Sequence, residues 1–365
     1  MEQGGVESVV CDLNRALVAR GWESVVVSRG GRLAPLIGAA GGRHVEMDLK
    51  SKNPFTYFLR AGRLRRLVET ERPDIVCAHS RVPAWLAVRA LCGLSIPWIT
   101  YAHGANSVSR YSRIMTAGDL VIAPSRFISE FLQASYGTDP SRIRVIPNAV
   151  DAARFNPAAV DASFAGSLRT KWNVAGCKVV MAVGRITPVK GLDTLIGAFA
   201  RLALPDARLV IVGSADSSHA GYERSLRELA ASLGLSGRVV FAGGSDRIPE
   251  CLSIADVVVS SNVRKPESFG LSAAEAMAMG KPVVAKGFGG VAEVVVHGKT
   301  GLLVPPDAPD PECAFAEAMS SALAGLPGAD AESIRQSAVS RFDFGIMSEN
   351  TVSAYETAMR KKEKR

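Results

Sequence analysis

The segment Val179-Val-Met-Ala-Val-Gly-Arg-Ile-Thr-Pro-Val-Lys-Gly-Leu-Asp-Thr-Leu-Ile196 decides the fold of this chain. It begins with a β-branched apolar run typical of a buried strand, passes through a loop, and ends in an apolar-periodic stretch typical of a helix. The loop carries Arg185 and Lys190 between Gly184 and Gly191. Cations at the end of a parallel strand, beside a helix N-terminus, are suited to hold a diphosphate. Two solvated loop charges are the alternative interpretation.

The same alternation of short β-branched runs and helix-length segments continues along the chain and predicts an α/β fold with parallel sheets. Strands of the first half are predicted at Ser24–Ser28, Ile75–Ala78, Trp98–Tyr101, Leu120–Ala123 and Arg144–Ile146. Strands of the second half are predicted at Val179–Val183, Arg208–Val212, Val239–Ala242, Val257–Ser260 and Pro282–Ala285. A loop and a stretch of low periodicity over 147–171 separate the two sets.

The length of 365 residues agrees with two domains better than with one core. We expect residues 1–160 and 161–340 to form two doubly wound domains facing each other across a cleft, followed by a C-terminal helix and basic tail over 341–365. The helix is expected at about Met347 to Lys361. Because a Gly4-Gly5 turn and a helix from Val6 stand where a doubly wound domain normally opens with a strand, we expect that first strand to be missing.

The composition excludes several classes of protein. With 47% apolar and 21% charged residues, the chain is globular and not disordered. The net charge of +8 favours anionic partners. The 6 cysteines form no CxxC pair, which predicts neither a zinc site nor a disulfide framework and favours a reducing compartment. We find neither an apolar run of membrane-spanning length nor a secretory signal, and we expect a cytoplasmic protein.

Two glutamates eight residues apart form a second candidate site, in the segment Lys265–Gly280. If one helix ran through Glu267 and Glu275, their directions would differ by about 80°, and the two carboxylates could approach one ligand from its two ends. Glu275 stands among apolar helix formers, where a carboxylate needs a partner such as a sugar or ribose hydroxyl. A solvated, helix-capping glutamate is the alternative. Backbone N–H groups of the turn Ser268–Leu271 are suited to a phosphate.

Histidines supply a third candidate. His103 follows the strand Trp98–Tyr101 and is expected to point into the cleft, with a packed or capping role as the alternative. His79 is similarly placed, and we expect it to be a packed residue. The remaining histidines are interpreted as loop residues: His44, His219 and His297.

Two glycine-rich segments are weaker signals. Gly4-Gly5 before the first helix permits close backbone approach to a phosphate. Gly287-Phe-Gly-Gly-Val-Ala292 matches the G-x-G-x-x-A spacing of dinucleotide folds. Because this second segment belongs to the last predicted strand of its set and not the first, we interpret it as a turn, and a dehydrogenase is the less favoured function.

Together these segments resemble the retaining glycosyltransferases of family 4, which have the GT-B fold of two facing Rossmann-like domains. The pair Glu267-x7-Glu275, with its Phe269-Gly270 turn, is the most specific part of the resemblance. The other matching segments are Gly4-Gly5, His103, Pro124-Ser-Arg126, Ile146-Pro-Asn-Ala-Val-Asp151, Val183–Gly191, Gly289-Gly290, Glu293 and Gly298-Lys-Thr-Gly301. The resemblance also implies that the C-terminal helix crosses back onto the first domain.

The resemblance implies a role for each matching residue. Glu267 and His103 would act as catalytic residues that contact the donor sugar from opposite sides. Arg185 and Lys190 would neutralise the departing diphosphate, and Glu275 would hold the ribose hydroxyls. The donor-binding positions implied are Gly4, Gly5, Arg185, Lys190, Gly244, Ser245, Glu267, Phe269, Gly270, Leu271 and Glu275. The family needs neither a metal nor a cofactor, its donor being a UDP- or GDP-linked sugar, and this chain contains no Asp-x-Asp.

The reaction and its alternatives follow from these roles. No second carboxylate for a double displacement is evident in the first half, which favours a front-face path assisted by the leaving group. A sugar-nucleotide epimerase or a phosphorylase of similar fold is an alternative within enzymes. A catalytically impaired nucleotide-sugar-binding protein is the alternative from another class, because the first strand is expected to be missing.

The distribution of basic residues along the chain indicates which half contacts the acceptor. Most of the basic surplus lies in residues 1–165, and the segment Phe55–Val68 interleaves apolar side chains with Arg60, Arg63, Arg65 and Arg66. Such a helix can lie on an anionic membrane surface, although an ordinary solvated helix over a core has the same pattern. We therefore expect a glycan or lipid-linked acceptor of cell-envelope polysaccharide or lipopolysaccharide synthesis. Nucleic acid is disfavoured, since stacking aromatics are not interleaved with the basic residues. No oligomeric state is predicted.

Overall fold

The computed structural model describes residues 4–363, with side chains through residue 360, and these form two compact units. The first unit contains the chain up to Ala149 and the last helix from Phe344, and the second contains Val150–Asp343. The observed boundaries differ from the predicted ones at 160 and 340. The reason is that Val150 and Phe155 already pack into the core of the second unit.

The first unit contains short parallel strands separated by helices. Its strands are β1 Val25–Ser28, β2 Arg43–Glu46, β3 Val76–Ala78, β4 Trp98–Tyr101, β5 Leu120–Ala123 and β6 Ile143–Val145. Its helices before the second unit are α1 Gly5–Val18, α2 Ala34–Ala39, α3 Tyr57–Glu71, α4 Arg81–Ala90 and α5 Arg126–Tyr136.

The strands of the first unit form two separate parallel sheets, one of order β1-β2 and one of order β3-β4-β5-β6. Among the described residues of the first unit, no strand joins these two sheets. Strand β2 was not predicted, because Arg43-His-Val-Glu46 contains a single apolar residue. His44 accordingly lies in a strand and not in a loop, with Nε2 2.8 Å from Ser28 Oγ.

The second unit is one parallel six-stranded sheet of order β12-β11-β10-β7-β8-β9 with helices on both faces. Its strands are β7 Lys178–Val183, β8 Ala207–Val212, β9 Val239–Gly243, β10 Val257–Ser260, β11 Val283–Lys286 and β12 Gly301–Val304. Its helices are α6 Ala162–Lys171, α7 Leu192–Ala200, α8 Ala220–Ser232, α9 Ile248–Ile254, α10 Leu271–Ala278, α11 Val291–Val294, α12 Pro311–Ala324 and α13 Ala331–Phe342. Strand β12 was missed from the sequence, and α6 occupies part of the stretch interpreted as low in periodicity.

The two faces of this sheet are covered by separate apolar clusters. Val179 and Met181 of β7 pack into one cluster, and Val180 and Ala182 pack into the other. A strand buried on both faces needs apolar residues at every position, which explains the continuous apolar run over Val179–Val183.

The last helix, α14 Phe344–Glu363, belongs to the first unit. Its Met347 and Tyr355 share an apolar cluster with Val9 and Leu13 of α1. The end of the predicted basic tail, at 364–365, lies outside the described residues. Among the helices described, none is both long and apolar enough to cross a membrane.

Candidate active site

The centre of the second sheet provides the main candidate site. Strands β7 and β10 are adjacent there, while β8 and β9 extend to one side and β11 and β12 to the other. Ligands of doubly wound folds bind outside the C-terminal ends of the strands at this switch point. A shallow pocket opens at this place. Its lining includes Gly184, Arg185, Lys190, Ser260, Ser261, Asn262 and Ser272.

The loop after β7 is fixed against the end of β10. Ser261 Oγ donates to the carbonyl oxygen of Lys190 at 2.9 Å. Gly191 has a φ of 61°, and a Cβ there would lie 2.1 Å from the Ser261 carbonyl oxygen, so glycine alone permits this close approach. The residue that follows β10 therefore holds the backbone of the loop, and this fixes the position from which the Lys190 side chain extends.

Lys190 and Glu267 form the central ion pair of the site. Lys190 Nζ lies 2.5 Å from Glu267 Oε1, and the two side chains are 28% and 17% exposed. Arg185 is exposed and makes no ion pair with any residue that the structure describes. The two loop cations predicted to act together thus differ: one is held by a carboxylate of the site, and the other extends into solvent.

Glu267 lies in a turn ahead of α10 and not on the helix. The helix begins at Leu271, with Gly270 as its N-cap residue in a left-handed conformation. The amide of Gly290 donates to the Glu267 carbonyl oxygen at 2.7 Å. The geometry of one helix through Glu267 and Glu275 is therefore wrong, because the helical turn starts four residues after Glu267.

The remaining predicted positions of α10 differ in exposure. The Phe269 ring is buried and packs edge-to-face on Phe342 with ring centroids 5.2 Å apart, so its side chain belongs to the core. Leu271 is half-buried against the same core. Glu275 is half-buried on α10, between the buried residues Ala274 and Ala276.

Gly244 and Ser245 follow the edge strand β9 and do not line the switch-point pocket. Gly244 is exposed, and Ser245 Oγ accepts a hydrogen bond from the Arg247 amide at 3.0 Å. Conversely, Ser261, Asn262 and Ser272 line that pocket and were not predicted from the sequence. Ser261 and Asn262 directly follow β10, so the rule that ligands bind at strand C-terminal ends was sufficient to select them.

In the first unit, Gly4 and Gly5 form the start of α1. Gly4 is the N-cap residue in extended conformation, and Gly5 is exposed. A Cβ at Gly4 would lie 2.5 Å from Glu7 Oε2, which places the Glu7 carboxylate beside the N-terminus of the helix. A carboxylate is favourable at the positive end of a helix dipole, so a phosphate at Gly5 would meet a negative neighbour.

His103 follows the end of β4 and lines a second pocket, within the first unit. Polar residues of that lining are Asp12, Asn148 and Thr351. His103 Nε2 lies 3.0 Å from Nδ1 of His79. Burial lowers the pKa of His103 to about 4, and the pKa of His79 is lowered by burial and by the neighbouring His103. Both rings are neutral at pH 7.

Within residues 4–363 no group of three or more His, Cys, Asp or Glu side chains is placed to hold a metal ion.

Two family descriptions match the two halves of the chain. Residues 3–154 match glycosyltransferase family 4, and residues 168–336 match glycosyl transferases group 1. A D-inositol 3-phosphate glycosyltransferase of Xylanimonas cellulosilytica is 30% identical, with 88% of this chain and 84% of the relative covered. The chain belongs to glycosyltransferase family 4. The family predicted from the residues is thereby confirmed.

Other relatives of this family 4 chain are matched over shorter regions. A D-inositol 3-phosphate glycosyltransferase of Acidothermus cellulolyticus is 37% identical over 61% of this chain and 50% of the relative. The chain spans about half the length of the first such relatives it matches. A GDP-mannose-dependent alpha-(1-6)-phosphatidylinositol monomannoside mannosyltransferase of Mycobacterium tuberculosis is 32% identical over 66% of this chain and 65% of the relative.

Solved structures confirm the fold. A glycosyltransferase of Rickettsia africae superimposes with a TM-score of 0.88 at 26% identity, covering 99% of this chain and 97% of the other. The Anabaena protein HepE in complex with UDP gives a TM-score of 0.81 at 25% identity, covering 98% of each chain. The family 4 chain thus has the α/β architecture of two Rossmann-like domains that is called GT-B.

Proposed function

We propose that this family 4 protein is a retaining glycosyltransferase that moves a sugar from a UDP- or GDP-linked donor to a glycan or lipid-linked acceptor, with neither metal nor cofactor. The Lys190–Glu267 ion pair at the sheet's switch point carries the proposal. It places a cation suited to a diphosphate and a carboxylate suited to a sugar in direct contact. The HepE complex with UDP and the GDP-mannose dependence of the mycobacterial relative support a nucleotide-linked donor.

The chemistry follows from charge development. As the bond between sugar and diphosphate breaks, negative charge grows on the leaving oxygen, and Lys190 with Arg185 stabilises it more in the transition state than in the ground state. Glu267 contacts the donor sugar near the reacting carbon, and Glu275 accepts hydrogen bonds from the ribose hydroxyls. His103 contacts the sugar hydroxyls as a neutral imidazole. The acceptor attacks on the face that the diphosphate leaves, so the anomeric configuration is retained.

The start of α3 and the turn just before it support an acceptor at a membrane surface. Phe55, Phe58 and Leu59 are 90%, 68% and 70% exposed, and Arg63 and Arg66 beside them are also exposed. Three adjacent exposed apolar side chains flanked by cations suit insertion at an anionic lipid surface. We propose peripheral contact with the cytoplasmic face of the membrane, in cell-envelope glycan synthesis.

Two arginines of the predicted basic face do not contribute to this surface. Arg60 is buried and donates to Thr56 Oγ1 and to the Asn53 carbonyl oxygen, so it holds the start of the helix. Arg65 is paired with Glu69 at 2.9 Å. The basic face is therefore narrower than the sequence predicted, and it is concentrated around Arg63 and Arg66.

The test of the reaction is a panel of UDP- and GDP-sugars incubated with the full chain, with and without a chelator. We expect slow hydrolysis of one donor, unchanged by the chelator, and release of the sugar with its original anomeric configuration by NMR. Release of an inverted sugar, or the absence of both binding and turnover, would overturn the proposal. Conversion of the donor to an epimeric donor, or release that requires inorganic phosphate, would identify the epimerase or the phosphorylase.

The test of the membrane surface is sedimentation with phosphatidylglycerol vesicles. We expect Phe55→Ser combined with Phe58→Ser to lower vesicle binding about tenfold, and Leu36→Ser, another exposed apolar side chain of the first unit, to leave it unchanged. Equal binding of all three proteins would contradict the proposed surface.

A further inference from the structure

Three stacked rings lead from the His103 pocket into the first unit. The rings of His103 and His79 lie 5.2 Å apart at 21°, and those of His79 and Tyr101 lie 4.3 Å apart at 18°. The Tyr101 hydroxyl shares a hydrogen bond of 2.6 Å with the Tyr355 hydroxyl of α14. Both tyrosines are buried. The His79 ring therefore packs on Tyr101, which is itself hydrogen-bonded to the last helix.

One ring nitrogen of His79 forms a hydrogen bond with His103. Its Nδ1 lies 3.0 Å from His103 Nε2, so one of these two nitrogens carries the shared proton and the other accepts it. A neutral imidazole carries a single proton, and the occupied Nε2 therefore decides whether His103 Nδ1 is a donor or an acceptor. The orientation of the His103 ring is restrained by the same contact.

We propose that His79 is a positioning residue for His103, holding its ring in one orientation and one neutral tautomer through the Nδ1 contact. This inference rests on the proposed function in one respect, the contact of His103 with the donor sugar. The contact that fixes His103 Nε2 leaves Nδ1 as the ring atom available to a sugar hydroxyl. His79 itself touches no substrate and acts through His103.

The surroundings favour neutral rings over the working pH range. Burial lowers the pKa of both histidines, and that of His103 lies at about 4. The titratable groups around the stack are Cys77, Tyr101 and Tyr355, whose pKa values burial raises, and Asp12, which lines the His103 pocket. The raised pKa values keep the thiol and the phenols uncharged. The two imidazoles are therefore neutral at pH 7, and the hydrogen bond between them orders their rings.

Three variants separate the hydrogen bond from the stacking. His79→Asn keeps a polar atom two bonds from Cβ, where Nδ1 stands, and loses the ring. His79→Phe keeps a ring against Tyr101 and loses the hydrogen bond. His79→Gln has the same amide chemistry as the asparagine variant with the polar atoms one bond further out, and it serves as the matched control.

The first readout is ¹⁵N NMR of the imidazoles in the full chain, which needs neither substrate nor activity. We expect His103 of the natural protein and of His79→Asn to show one protonated and one unprotonated ring nitrogen at pH 7. In His79→Phe and His79→Gln the two signals should move towards a common average, because the tautomer is no longer fixed. Unchanged His103 signals in His79→Phe would overturn the inference. Should that variant fail to fold, unchanged signals in His79→Gln would overturn it equally.

The second readout is hydrolysis of the donor that the panel selects. We expect the turnover number to fall about tenfold in His79→Phe and His79→Gln with KM within twofold, and to stay within threefold in His79→Asn. Equal losses in all three variants would assign His79 to packing alone and contradict the proposal. If the natural protein hydrolyses no nucleotide sugar, the proposed function fails, while the NMR comparison still decides whether His79 orders His103.

Discussion

The ammonium of Lys190 lies 2.5 Å from Oε1 of Glu267, across the join between the loop after β7 and the turn after β10. The pair is mostly removed from solvent, so each charge depends on the other. If Lys190 binds the donor diphosphate as proposed, the diphosphate must compete with Glu267 for the same ammonium. Because of this competition, removal of the Glu267 charge should change UDP binding and donor hydrolysis in opposite directions.

Glu267→Gln is expected to bind UDP about threefold more tightly than the natural protein, because Lys190 loses its carboxylate partner. The same variant should hydrolyse the donor at least about a hundredfold more slowly, because the charge beside the sugar is gone. Titration calorimetry with UDP and single-turnover donor hydrolysis measure the two effects. Glu223→Gln is the control, since its ion pair with Arg227 on helix α8 is exposed. Weaker UDP binding by Glu267→Gln would contradict competition for Lys190.

The proposed contact between Glu275 and the ribose can be tested by changing either the nucleotide or the residue. If its half-buried carboxylate holds the ribose, the natural protein should prefer UDP to 2′-deoxy-UDP by about tenfold. Glu275→Gln should lose most of this preference and bind 2′-deoxy-UDP about as well as the natural protein does. Calorimetry with the two nucleotides measures both numbers. Retention of the full preference in the variant would show that another group contacts the ribose.

Strands buried on both faces were predicted from the sequence within one residue at each end. Trp98–Tyr101, Leu120–Ala123 and Val257–Ser260 match observed strands because continuous apolar runs leave few alternatives. Arg43–Glu46 and Gly301–Val304 were missed, since the first is polar and half-exposed and the second starts with glycine.

The candidate site was predictable in its residue types and not in its geometry. That Lys190 contacts Glu267 depends on β7 lying beside β10, a pairing between strands distant in sequence. That Glu267 lies off the helix depends on Gly270 taking a φ of 99° as the N-cap residue. That His79 touches His103 depends on β3 pairing with β4. Periodicity reports local structure, and these contacts are set by strand order.

Gly290 is expected to be essential for the position of the Glu267 turn. A Cβ at this residue would lie 2.2 Å from the Ser268 carbonyl oxygen and 2.7 Å from Phe269 Cα, both backbone atoms. Gly290→Ala should therefore cost about 1–3 kcal/mol of unfolding free energy and lower donor hydrolysis at least about tenfold. Gly166→Ala is the matched control, because its Cβ on helix α6 would meet nothing within 4 Å. That control should be neutral or slightly stabilising. Normal activity in Gly290→Ala would show that the turn tolerates a shift.

The two stacked histidines predict a loss of stability on mild acidification. Their pKa values are lowered in the folded protein, to about 4 for His103, whereas an unfolded chain has histidines near pKa 6.5. Above pH 6.5 both states are neutral and the rings contribute no pH dependence. As the pH falls below 6.5, the unfolded chain takes up protons that the folded chain does not, so the unfolding free energy falls until the pH reaches the folded values. Urea unfolding at pH 7 and pH 5 should show a decrease in the unfolding free energy on the order of 1 kcal/mol per ring.

His103→Asn removes one titrating ring and should show a correspondingly smaller decrease. His219→Asn is the control, because the His219 ring is paired with Asp216 in the other unit. This control leaves the two stacked rings intact and should keep their full contribution. An identical decrease in His103→Asn and the natural protein would mean that His103 is protonated as readily when folded as when unfolded.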